Sequence, residues 1–193
     1  MLEFLTDLVS GSPWTYALVL GIAALDALFP IVPSETTAIA AGVLAGAGEL
    51  SLALVIAAAT AGAFAGDTST YALGRVTGER AARRLPARRL DWAGRMLETR
   101  GGYLIVGSRF IPGGRTVTML SAGLTRMPSR RFLRLAALAA VVWGSYVGLL
   151  GYVGGRTFEE RPWQGLVLAL GLAGGIAVAV ELGRRLRHRR RSS

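Results

Sequence analysis

The chain has 193 residues, 52% of them hydrophobic, with 22 basic against 12 acidic residues and a formal net charge of +10. It contains no cysteine, which excludes disulfides, a thiolate nucleophile and cysteine metal sites. The one histidine, His188, lies in a basic tail, so histidine-dependent catalysis and a histidine metal centre are excluded as well.

Length suggests one domain. The apolar residues come in nearly uncharged blocks of roughly 10–22, which fits the hydrocarbon thickness of a bilayer. The 26 glycines suit close approach of membrane helices. The positive charge sits in three clusters beside these blocks, Arg75 to Arg100, Arg126 to Arg134 and Arg184 to Arg191. That is the pattern of cytoplasmic loops, with some attraction to anionic headgroups, and it argues against nucleic acid as a partner. Met1 to Pro13 carries Glu3 and Asp7 and no basic residue, so it is not expected to be a removable secretory signal.

Trp14 to Phe29 is apolar except for Asp26. The run breaks at Pro30-Ile31-Val32-Pro33-Ser34-Glu35 and resumes from Thr36 to Gly46; two prolines three apart remove backbone donors and end a helix. Leu52 to Leu73 is long enough to span. The basic stretch from Arg75 to Arg100, with Leu90, Ala93 and Leu97 at helical spacing, reads as a helix on the membrane surface. Tyr103 to Leu124 is interrupted by Arg109-Phe110-Ile111-Pro112-Gly113-Gly114-Arg115, where Pro112, Gly113 and Gly114 break a helix. Basic clusters flank this segment on both sides, so a hairpin that enters and returns on the cytoplasmic face is expected. Phe132 to Val153 spans outward, Arg156 to Arg161 suits the outer side, and Trp163 to Val180 spans back. The tail then ends in the cytoplasm. By the same alternation Trp14 to Gly46 is a hairpin from outside, unless Trp14 to Phe29 crosses completely and puts the N-terminus inside.

A shift of 81 residues brings Phe29 onto Phe110, Thr37 onto Thr118, Ala41-Gly42 onto Ala122-Gly123, Tyr71 onto Tyr152 and Gly74-Arg75 onto Gly155-Arg156. Leu52, Leu54 and Ala58-Ala59 also meet identical residues. Each half is a broken hairpin followed by one span, which turns the second half upside down, and paired broken helices in inverted repeats frame the sites of many transporters. The expectation is an all-α polytopic membrane protein with two opposed re-entrant helical hairpins plus about three full transmembrane helices. Its parts are 14–75 as first half-repeat, 76–102 as amphipathic connector, 103–156 as second half-repeat, 163–181 as last span and 184–193 as basic tail.

Four charges fall at the breaks: Asp26 and Glu35 in the first, Arg109 and Arg115 in the second. Ionised groups near the bilayer centre must face protein or water and find partners, so the breaks are expected to meet around a polar cavity. Arginine forks and helix N-termini there suit a phosphate. Asp26 and Glu35 could take protons in one conformation and release them in another. The alternative is a static ion-pair network. In Gly62 to Gly78, Gly62 and Gly66, then Gly74 and Gly78, have small-xxx-small spacing, and Asp67, Tyr71 and Gly74 share a face. Asp67 either has a local partner such as Arg75 or serves proton movement.

At these motifs the chain resembles the DedA family, also called the SNARE-associated or VTT-domain family, over roughly Asp26 to Arg156. The motifs are the acidic residue followed by Pro30-Ile31-Val32-Pro33-Ser34-Glu35; Gly66-Asp67 with Tyr71, Gly74-Arg75 and Gly78; and Arg109 to Thr116 with Ala122-Gly123. The resemblance implies two re-entrant hairpins in a bacterial cytoplasmic membrane. It implies transport of undecaprenyl phosphate, dependence on the proton-motive force, and in eukaryotic relatives phospholipid scrambling. The family's essential acidic pair corresponds to Asp26 and Glu35, and its essential arginines to Arg109 and Arg115. Asp26 stands where many relatives have glutamate, and its spacing to Glu35 is shorter than in some. The expected partners are an anionic lipid, protons and the membrane, without cofactor or metal and with homo-oligomerisation left open. The rivals are a proton-coupled cation or drug exporter, an unselective scramblase, a membrane enzyme using an Asp26–Glu35 dyad, and an assembly scaffold.

Overall fold

The computed structural model describes residues 13–28, 34–82, 87–110, 114–157 and 171. Among them are six α-helices and no strand: α1 Pro13–Leu28, α2 Ser34–Gly46, α3 Leu52–Ala82, α4 Ala87–Gly107, α5 Gly114–Leu124 and α6 Ser129–Thr157. A 3-10 turn, Ser108–Phe110, follows α4. Pro30, Pro33, Pro112 and Gly113, the expected last span and the basic tail lie outside the described residues; Gly114 opens α5.

Helix lengths divide these elements into two classes. With 31 and 29 residues, α3 and α6 exceed the roughly 20 residues needed to cross hydrocarbon, and both are apolar enough to do so. The 13 residues of α2 and the 11 of α5 rise only about 20 Å and 17 Å at 1.5 Å each. The helix expected to end near Leu73 instead runs on unbroken to Ala82. The expected surface helix and the expected first arm of the second hairpin fall in one element, α4, bent at Arg100 (φ −128°, ψ 17°) just before Gly101-Gly102.

The short helices stop in the same way. The amide of Glu49 donates to Leu44 O at 3.0 Å and that of Met127 to Ala122 O at 3.0 Å, each bond reaching five residues back around a residue with positive φ. That residue is Gly48 in one turn (φ 84°) and Arg126 in the other (φ 54°). This turn satisfies helix-terminal carbonyls through a left-handed residue, easily supplied by glycine and at some steric cost by arginine.

Backbone contact at glycines decides the packing. Gly62 and Gly66 of α3 lie directly against Leu20, Ala24 and Ala27 of α1. Gly42 and Gly46 of α2 cross Gly148, Gly151, Tyr152 and Gly155 of α6. Gly123 of α5 crosses Tyr71, Gly74 and Arg75 of α3. Each short helix therefore packs on the long helix of the other half. At one crossing Gly46 faces Tyr152 O, Gly155 Cα and Arg156 N; at the other Gly123 faces Tyr71 O, Gly74 Cα and Arg75 N. The two partner triads are 81 residues apart, the shift read from the sequence, but that shift pairs Gly123 with Gly42 rather than Gly46, so the long-helix side of the seam repeats while the short helices meet it about one turn out of register. Gly78 is looser, since a Cβ there would meet Leu124 O at an ordinary 3.7 Å.

Two cores result. Val19, Ile39, Val55, Trp143 and Val147 fill one, Tyr71, Ile105, Met119 and Phe132 the other, and Phe64 packs against both. Leu54, Leu138, Leu149 and Val153 point outward. An apolar exterior of this kind is what hydrocarbon solvates.

Candidate functional site

The site lies between the cores, on the face of α3 that carries Ala63, Asp67, Thr70 and Tyr71. These positions recur every three or four residues and so line one side of a helix. Asp67 has no exposed surface. A buried charge needs partners, and Asp67 has two: Arg115 Nε donates to its Oδ1 at 2.6 Å, and Arg109 Nη2 donates to its Oδ2. Arg115 Nη1 donates onward to Asp26 Oδ2 at 2.9 Å, and its Nη2 to Ala63 O at 3.0 Å. The hydroxyl of Ser34, the first residue of α2, reaches the same Asp26 oxygen at 2.8 Å.

The result is a linear chain, Ser34–Asp26–Arg115–Asp67–Arg109, that draws on α2, α1, α5, α3 and the 3-10 turn. Its four charges cancel, which is how a low-dielectric interior tolerates them. Hydroxyls fix the frame around it. The end of α1 leaves Ala27 O without an intrahelical partner. Thr70 Oγ1 of α3 and Thr116 Oγ1 of α5 both donate to that oxygen at 3.1 Å.

The far end of the chain is incomplete. The Arg109 side chain is 2% exposed, and its guanidinium lies 5.6 Å from the Trp143 ring centre, within cation–π range. Its Nε and Nη1 have no hydrogen-bond partner among the described residues. Buried unsatisfied donors are costly and uncommon, and two of them fall on one guanidinium, over an aromatic face and beside a second arginine. No group of carboxylates or histidines that could hold a metal occurs among the described residues.

Compared with the sequence expectation, the structure brings Asp26, Arg109 and Arg115 together and replaces one member of the set. Glu35 is exposed and forms no ion pair among the described residues; it lies within electrostatic reach of Asp26 and Arg115, and the Ser34 hydroxyl reaches its Oε2 at 3.5 Å. The acid held between the arginines is Asp67, because α3 carries it into the centre while Glu35 sits on the first turn of α2 at the rim. The suggested Asp67–Arg75 pair is corrected too. Arg75 Nη1 donates to Tyr71 Oη at 2.6 Å and to Ser129 Oγ at 2.9 Å, and Tyr71 Oη donates to Met127 O at 2.6 Å. Eight positions separate Asp67 from Arg75, about two turns, so the arginine lies well along the helix from the carboxylate.

Two contributions escaped the sequence reading. Trp143 sits in an apolar span with nothing to single it out. The seams at Gly42–Gly46 and Gly151–Gly155 had a usable signal, the same small-xxx-small spacing recognised in α3.

The described residues are all helical, and two of the helices are long and apolar enough to cross a membrane. The VTT domain matches residues 32–153, more than half of the chain. The chain therefore belongs to the VTT-domain family, the DedA family of membrane proteins. It is 35% identical to an uncharacterized membrane protein of Synechocystis over 82% of this chain and 79% of that one. It is 29% identical to the inner membrane protein YohD of Escherichia coli over 69% of each. With the protein DedA of Escherichia coli it shares 26% identity over 92% of this chain and 84% of the relative. No solved structure matches.

Proposed function

We propose that this protein carries an anionic lipid, undecaprenyl phosphate, across the bacterial cytoplasmic membrane with coupled proton movement. Arg109 and Arg115 bind the phosphate, and Asp26, Glu35 and Asp67 handle protons. The lipid's identity comes from the family resemblance; the anion comes from the site. One observation carries the reading: a buried guanidinium, Arg109, with two donors that have no partner among the described residues.

The topology proposed with it has α1–α2 and α4–α5 as re-entrant hairpins from opposite faces, α3, α6 and the segment 163–181 as spans, and the C-terminus in the cytoplasm. The lengths of α2 and α5, too short to cross, support the hairpins, and the crossed glycine seams support their inverted relation.

Proteoliposomes loaded with undecaprenyl phosphate test the assignment. Arg115→Ala removes the donor that joins Asp26, Asp67 and Ala63 O, and lipid flux should fall at least about tenfold, the kinetic equivalent of about 1.4 kcal/mol. Arg115→Lys should not rescue it, because a point-charge ammonium cannot serve three acceptors along a planar fork. Wild-type flux in the alanine variant would remove the arginines from the mechanism. Glu35, exposed and with no ion pair among the described residues, favours one second reading, a proton-coupled cation exporter. In that case Glu35→Gln would impair transport more than Arg109→Gln, the reverse of the order expected here.

A further inference from the structure

We infer that Asp67 occupies the seat of the substrate's phosphate, so that Arg109 and Arg115 exchange an internal anion for an external one during each transport cycle. This rests on the transport reading above and deepens it. The two Asp67 oxygens are each held by a different arginine, the arrangement two oxygens of a phosphate monoester would adopt between the same donors. A carboxylate has only two oxygens, whereas a phosphate monoester offers three strong acceptors. The site has donors to match the difference, because Arg109 Nε and Nη1 stay buried and without a partner among the described residues while Asp67 is in place. The cationic side of the pocket is thus larger than its resident anion.

The surroundings of Asp67 determine the outcome of its displacement. From α1 comes Asp26, bonded to the other edge of Arg115; from the 3-10 turn and α5 come the two arginines; α6 contributes the neutral Trp143 beside Arg109. On α3 itself, Arg75 is turned toward Tyr71 and Ser129, and Glu35 of α2 is at the rim. No further cation reaches Asp67 among the described residues. A carboxylate left there without either arginine is an isolated buried charge, and a proton relieves it. In each loading step, therefore, two N–H···O contacts pass from carboxylate to phosphate, and one O–H bond forms on Asp67 as a protonated buffer or hydronium ion in the medium gives up its proton. Unloading reverses both events.

Isothermal titration of the detergent-purified full chain with farnesyl phosphate, paired with flux of the same lipid in proteoliposomes, tests the exchange. Asp67→Asn removes the competing anion, so farnesyl phosphate should bind about tenfold more tightly while its flux falls about tenfold. A merely structural role would move both in the same direction. Binding to the Asn variant that equals or is weaker than wild type overturns the proposal. Should the variant fail to fold, the wild type still decides at pH 8, where a phosphate monoester with a second pKa of about 6 is a dianion free and bound. Titrations in buffers of different ionisation enthalpy should then report uptake of about one proton per lipid bound, and no uptake overturns the exchange. A wild type that binds and moves the lipid without these signatures loses the exchange and keeps the transport reading; one that binds none loses both.

Discussion

Replacing Gly123 by alanine probes the crossed packing and the charge chain at once. A Cβ at Gly123 would stand 2.7 Å from Arg75 N and 2.9 Å from Gly74 Cα, and nearer still to Tyr71 O. All three obstacles are backbone atoms of α3, so no side-chain rotation relieves them. To restore ordinary contact, α5 must lift from α3 by about 1 Å, and overpacking of this kind costs about 1–3 kcal/mol. The upper end applies here because three rigid atoms are involved; a helix-propensity gain of up to about 1 kcal/mol leaves a net loss near 2 kcal/mol. The same lift carries Arg115 away from Asp67 and would stretch their 2.6 Å bond to roughly 3.6 Å, beyond hydrogen-bonding range. Reversible unfolding in mixed detergent micelles measures the loss, with two comparisons alongside. Gly46→Ala, at the equivalent crossing of α2 on α6, should lose as much within about 1 kcal/mol. Gly21→Ala, where a Cβ meets nothing within 4 Å, should be neutral or stabilising by up to about 1 kcal/mol. Stability of Gly123→Ala within about 0.5 kcal/mol of wild type, or a loss at Gly21 as large as at Gly123, would refute the packing argument.

Two further substitutions separate frame from function. Tyr71→Phe keeps the stacking on Phe132 (centroids 4.1 Å apart) but removes the hydroxyl shared by Met127 O, Arg75 and Ser129; a loss of about 1–2 kcal/mol is expected in the same unfolding assay. Glu35→Gln should leave stability within about 0.5 kcal/mol of wild type, because the side chain is exposed and forms no ion pair among the described residues, while lowering proton-coupled lipid flux.

The membrane class was legible in the sequence because hydrocarbon thickness imposes long uncharged blocks, and α3 and α6 fall on two of them. The breaks were legible because proline and glycine act locally, and Gly114 does open a new helix after the second. The 81-residue repeat was visible as scattered identities, yet which helix meets which was not, since a repeat fixes the kinds of parts and leaves their partners open. Charge in an apolar block announced that Asp26, Asp67, Arg109 and Arg115 require partners. Position along the chain grouped Glu35 with Asp26 at the first break and left Asp67 between a local partner such as Arg75 and a role in proton movement; the structure pairs Asp67 with Arg109 and Arg115.

What the amino-acid order determined by itself was therefore the solvent this protein folds in and the few groups that solvent forces inward. The tertiary structure alone decided the order of the chain Asp26–Arg115–Asp67–Arg109 and left Arg109 with donors to spare. Ion pairing depends on distances of a few ångströms between helices that are remote in sequence. Those distances are set where glycine lets one backbone rest on another, at crossings that local propensity does not encode.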